Sequence, residues 1–223
     1  MLGIPPEQNS AFVAAMEDVL AVYSRPYDPK RPVVNMDEKP FQLLSLSRPS
    51  LPMKAGTPER EDFEYIRLGT CSIFMFTEAL VGWRYAEAFP QRTKKDWARR
   101  IKWLLDKQHP KAEKVVLVMD NLNTHTPSSL YETFKPEEAC RLAQRLEIHH
   151  TPKHGSWLNI AEIELASMTA QCLGKRRFPG IKSLNAELSA WSVKRNQTQR
   201  GVDWHFTSKD ARVKLKRLYP IIM

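Results

Sequence analysis

Three carboxylates stand where segments of different kinds end or begin. Asp37 closes the run Val33-Val34-Asn35-Met36, Asp120 closes the run Val115 to Met119, and Glu162 lies just inside a helix that opens after Asn159. Two acids on strand ends and a third on a helix can converge on one point. Hard divalent cations prefer such oxygen donors. Two ions about 3.5–4 Å apart can stabilise both the attacking and the leaving oxygen of an in-line displacement at phosphorus. Without a cation, unit charges ~5 Å apart at an effective dielectric of ~20 repel by roughly 3 kcal/mol per pair. The grouping therefore points to cutting and joining of phosphodiesters. Each acid also has an ordinary reading. An aspartate after an apolar run solvates a strand end, and Glu162, three residues after Asn159, completes a capping box. Glu164 competes with Glu162, but two residues along a helix point about 200° apart, so only one can face a site.

Other polar residues cluster near these acids. Asn121, Asn123 and His125 follow Asp120, where they either contact phosphate and order water or shape a turn and cap the next helix. Lys153 and His154 precede the helix of Glu162, and Lys153 is placed to touch a phosphate. His149, His150 and His154 lack the cysteines and regular spacing of a zinc site. Trp157 either stacks on a base or fills the core.

The elements that must position these groups can be read from periodicity. Phe12, Met16, Val19, Leu20 and Tyr23 share one helical face over 11–23. A connector with Pro26, Pro29 and Pro32 leads to strands over 33–37, 41–46, roughly 63–77 and 81–89, with Pro40 bending the chain after Asp37. Thr93 caps a helix with Asp96 three residues on. The continuously apolar run 115–119 predicts a strand buried on both faces. Short helices over 127–134 and 136–145, a strand over 146–150, and helices over 160–173, 183–195 and 208–218 complete the chain. This order predicts an α/β fold, a mixed sheet covered by helices.

With 223 residues, 42% of them hydrophobic, the chain can build one large core. No run approaches the ~18–20 apolar residues of a membrane span, and no secretory signal opens the chain. Three scattered cysteines, Cys71, Cys140 and Cys172, argue for a reducing compartment and against a disulfide framework. The net charge is +9, yet residues 1–173 hold 22 basic and 22 acidic residues. The excess lies in 174–223, with 12 basic against 3 acidic, including Lys175, Arg176 and Arg177. Such asymmetry fits either a polyanion partner or a solvated basic tail. Three parts are expected: an N-terminal helix and linker (1–30), a catalytic domain (31–173) and a basic helical extension (174–223).

The segments Met36-Asp37-Glu38-Lys39-Pro40, Val118 to His125 and Thr151 to Glu162 resemble the three catalytic blocks of mariner-superfamily transposases. They most resemble the bacterial insertion-sequence branch, as does the tail from Val202 to Pro220. The third block carries Leu-Asn-x-x-Glu, which selects Glu162 over Glu164. The resemblance implies a ribonuclease H-like DDE transposase, in which Asp37, Asp120 and Glu162 bind two Mg2+ ions, replaceable by Mn2+. It further implies nicking of transposon ends, transfer of the freed 3′-hydroxyl to target DNA (usually at TA), a homodimer, and a bacterial, cytoplasmic, nucleoid-associated setting. His125, Asn121, Lys153, Lys175, Arg176 and Arg177 would contact DNA. The 36 residues before Asp37 leave room for one helix, so the chain looks like a catalytic half, from a truncated element, a split reading frame or a longer protein that carries a helix-turn-helix for end recognition. The 42-residue gap from Asp120 to Glu162 is wider than in typical mariner enzymes. A nuclease of the same fold, or an inactive DNA-binding remnant, are the other readings.

Overall fold

The computed structural model describes residues 7–58, 62–122, 125–198, 201–202 and 204–221. Asn123 and Asp203 lie outside them. Helix α1 (Ser10–Tyr23) opens where the Asn9 side chain accepts the Phe12 N–H, and it buries Phe12, Met16, Val19, Leu20 and Tyr23 as the periodicity predicts. Strand β1 (Val33–Leu46) pairs antiparallel with β2 (Tyr65–Glu78), which pairs antiparallel with β3 (Trp83–Phe89). Helix α2 (Lys94–Trp103) has the expected Thr93–Asp96 capping box and widens into a π turn over Leu104–Gln108. Strand β4 (Val115–Met119) lies parallel to β1 and is buried along its whole length. Next come α3 (Ser128–Tyr131), α4 (Pro136–Gln144) and β5 (Leu146–His150), the last parallel to β4. The chain continues through α5 (Ile160–Met168), a π turn over Thr169–Leu173, α6 (Ile181–Thr198) and α7 (Ser208–Lys214).

The strands assemble in the order β3-β2-β1-β4-β5, the ribonuclease H-like arrangement of a mixed sheet flanked by helices. Alternation along β4 shows how the faces divide. Val115, Leu117 and Met119 pack with α2, α3 and α4, whereas Val116 and Val118 pack with α1, α7 and the turn after it. On that second face, Ile73, Met75, Ala86 and Ala88 meet α5 and α6 through Leu165, Met168, Leu184 and Leu188. Helices α1, α6 and α7 are thus built into the core on that face of the sheet. The Asn9 N–H even donates to the Leu218 carbonyl at 3.0 Å.

The expected break at Pro40 is absent: β1 runs through it, with Pro40 opposite Ser72. The reason is local. Pairing of β1 with β4 covers Val33–Asn35, so beyond that point one edge of β1 has no strand beside it and a missing N–H breaks no ladder there. The outer edge of β3 is also closed. Asn196 accepts the Arg84 N–H at 2.8 Å and donates to the Arg84 carbonyl at 2.9 Å; Asn185 does the same for Ala88 at 2.7 and 3.0 Å.

Candidate active site

The register of the two central strands brings the aspartates together. Asn35 pairs with Val118 in parallel, so two residues further along Asp37 stands level with Asp120. Both lie at the carboxyl end of the parallel pair, where open α/β sheets place ligands. Asp120 follows β4 directly, whereas Asp37 lies within the long β1 rather than at a strand end. Helix α5 is docked onto this point by Asn159. Its side-chain nitrogen donates to the Met36 carbonyl at 3.0 Å, while its oxygen accepts the Ala161 N–H at 3.1 Å as the helix N-cap. Asn159 therefore ties the first turn of α5 to the residue before Asp37, and Glu162 follows in that turn.

Asp37, Asp120 and Glu162 together line an open cleft of ≈ 490 Å³, with Asn121, Lys153 and His154 around it. Glu164 points elsewhere. It is buried with Arg84 at 2.7 Å, their side chains 4% and 1% exposed, and Arg195 approaches to 3.2 Å. Burial, reinforced by the charges of Asp120, Glu162 and Glu38, raises the Asp37 pKa to about 7 against the lowering effect of the Glu38 N–H on its Oδ1.

Behind the cleft stands a buried bridge. His125 Nδ1 lies 2.9 Å from Asp120 Oδ1, and its Nε2 lies 3.0 Å from Glu38 Oε1. Burial alone would lower the imidazole pKa, but hydrogen bonds to Asp120 and Glu38 overcome it and raise the value to about 9. Protonated, the ring donates to both side chains at once, and it packs on Trp97 at a centroid distance of 6.0 Å. His125 is 1% exposed and Glu38 3%, so the expected contact of His125 with DNA does not hold; it orients Asp120, which is 39% exposed. Sequence reasoning had Asn159 as the N-cap of α5 but missed its bond to the Met36 carbonyl, and it gave Glu38 no role. The one signal was their place inside the first and third blocks.

A family profile described as DDE superfamily endonuclease matches residues 32–185, more than half of the chain. The chain belongs to the DDE superfamily of endonucleases. A search of curated protein sequences found no match. Among solved structures, this DDE domain is similar to the Mos1 mariner paired-end complex with Mn, with a TM-score of 0.56 and 16% identity over 86% of this chain and 57% of that one. It is also similar to the Mos1 strand transfer complex, with a TM-score of 0.57 and 17% identity over 85% of this chain and 56% of that one. At such identities the likeness is one of fold, and the chain spans less than three-fifths of the Mos1 chain.

The remaining expected residues are spread more widely. Asn121 and Lys153 are exposed at the cleft. Lys175, Arg176 and Arg177 are not among its lining residues; Arg176 pairs with Glu187 at 2.7 Å, and Arg177 donates to the Asp62 carbonyl at 2.6 Å. Trp157 packs against the apolar cluster of α1 and α7, beside Phe206. His149 pairs with Asp18 and Glu147. Among the described residues, no three His, Cys, Asp or Glu side chains gather tightly enough to hold an ion as they stand. The three cleft carboxylates nevertheless form an all-oxygen donor set, the kind that suits magnesium or manganese and leaves room for water and phosphate. No helix of the described residues is long and apolar enough to cross a membrane.

Proposed function

We propose that this chain is the catalytic domain of an insertion-sequence transposase, performing metal-dependent phosphodiester hydrolysis and strand transfer. The observation that carries this reading is the convergence of Asp37, Asp120 and Glu162, from β1, the end of β4 and the start of α5, on one open cleft. Those three carboxylates would hold Mg2+, with Mn2+ as a substitute. Bound there, the ions would supply stabilisation of the attacking and leaving oxygens at phosphorus. The protein's own part is positioning. The Glu38 N–H fixes Asp37, His125 fixes Asp120, and Asn159 sets α5 and with it Glu162. Lys153 and Asn121 border the cleft where a phosphate would lie. The first displacement would use water to free a 3′-hydroxyl at the element's end, and the second would use that hydroxyl against target DNA. The Mos1 structures are of a paired-end complex and a strand transfer complex, which supports transposon-end DNA as partner; the homodimer in the active complex is proposed because transposition joins two ends. A helix-turn-helix region elsewhere in a longer protein would recognise the ends.

The test is incubation with DNA carrying the element's ends and Mg2+ or Mn2+. Cleaved and strand-joined products are expected, and Asp120→Ala should abolish both while retaining DNA binding. Cleavage by the variant at the parental rate would overturn the assignment. Nicks without joined products would make the protein a nuclease of the same fold.

A further inference from the structure

The turn that enters the cleft from β5 holds a feature the mechanism has not used. Among the described residues, His154 alone has a positive φ without being glycine, at 65°. Side chains rarely adopt that region because Cβ crowds the following carbonyl. The turn spans Pro152 to Gly155, closed by the Gly155 N–H donating to the Pro152 carbonyl at 2.8 Å. Lys153 and His154 are its two central residues, and the second central position of such a turn favours glycine. Glycine instead occupies the next position. There a Cβ would come within 2.5 Å of the Pro152 ring, so Gly155 is required by close packing. The turn's base is rigid, since the Thr151 N–H donates to the Met119 carbonyl at 2.9 Å and both Thr151 and Pro152 are buried.

The fold gains nothing visible from the imidazole. His154 is exposed, lines the cleft with the three carboxylates, and has no side-chain hydrogen-bond or ion-pair partner among the described residues. A strained backbone that presents an unpartnered donor into a cleft is the pattern of a residue held for a ligand. The cleft's carboxylates repel a polyanion, so a donor lining the same cleft, beside Lys153, answers a need of phosphate binding.

We propose that His154 is a substrate-contacting residue, whose imidazole donates a hydrogen bond to a non-bridging oxygen of the DNA phosphate in the cleft. This rests on the phosphodiester reading above. The test compares the parent protein with His154→Gly and His154→Asn, following thermal unfolding and single-turnover cleavage of end-bearing DNA. Glycine relieves the backbone, so His154→Gly should melt at the parental temperature or higher while cleaving at least ~10-fold more slowly. Asparagine accepts the same φ and keeps a donor, so His154→Asn should recover part of the loss. Parental cleavage by His154→Gly, or a lower melting temperature accompanying its loss, would overturn the proposal and leave the phosphodiester reading intact. A parent protein inactive with both Mg2+ and Mn2+ would instead overturn that reading, and this proposal with it.

Discussion

Glu162 and Glu164 sit two residues apart on the same helix and do opposite work. Glu162 faces an open cleft, whereas Glu164 neutralises Arg84 inside the protein. Glu162→Gln should therefore unfold in urea within about 0.5 kcal/mol of the parent, as ordinary surface changes do, while losing cleavage. Glu164→Ala leaves a buried guanidinium without its carboxylate and should cost about 3–5 kcal/mol. Spacing alone left these two glutamates unresolved, because Ile163 and Leu165 put apolar residues on both sides. What decides between them is Arg84, 80 residues away in sequence and adjacent only after folding. The resemblance of Leu-Asn-x-x-Glu picked Glu162 without that information. His125 was legible as a residue near the site but not in its role, since burial is a property of the fold. His125→Gln should slow single-turnover cleavage by about 10–100-fold, as loss of a supporting partner behind a ligand does, with DNA affinity unchanged.

At the scale of elements, the strands and helices follow the apolar periodicity closely, and the misreadings cluster where neighbours decide. Pro40 marked a break by local rules, yet the strand continues because β4 ends early beside it. The closure of β3 by Asn185 and Asn196 left no mark in the pattern of α6, where both read as ordinary polar positions. Their 11-residue separation is about three helical turns, so both fall near the same face and reach the strand at Arg84 and Ala88. Asn196→Ala strands two backbone groups of a partly buried edge, which should cost about 1–3 kcal/mol in urea unfolding. An opened edge is also a template for strand pairing, so the variant should sediment with more oligomer than the parent at equal concentration.

At the scale of the whole molecule, much of the basic excess of 174–223 lies on α6, α7 and the turn after it, whose inner faces complete the core, so composition alone described only their outer side. The global stability should respond to pH through Glu78 at the end of β2. Burial raises its pKa to about 7, and its carboxyl lies 3.8 Å from His109 Nε2, beyond hydrogen-bond reach. A carboxyl whose folded pKa is raised binds protons more tightly folded than unfolded. Its contribution is thus intact below the ordinary value of 4.5 and lost as pH climbs through about 7. Glu78→Gln should remove this loss and gain on the order of 2–3 kcal/mol over the parent at pH 8, with little gain at pH 4.5, in urea titrations at both values.

The bond between Asn9 and Leu218 joins residues 209 positions apart in the chain. Helix α1 leaves the ribosome well before its partners, since its apolar face is covered by Val116, Val118, Leu158 and finally Ala211 and Leu218. At roughly 5–20 residues per second, those last partners arrive about 10–40 s after α1 itself. For that interval the nascent chain displays Phe12, Met16, Val19 and Leu20, which makes α1 a natural hold for a chaperone.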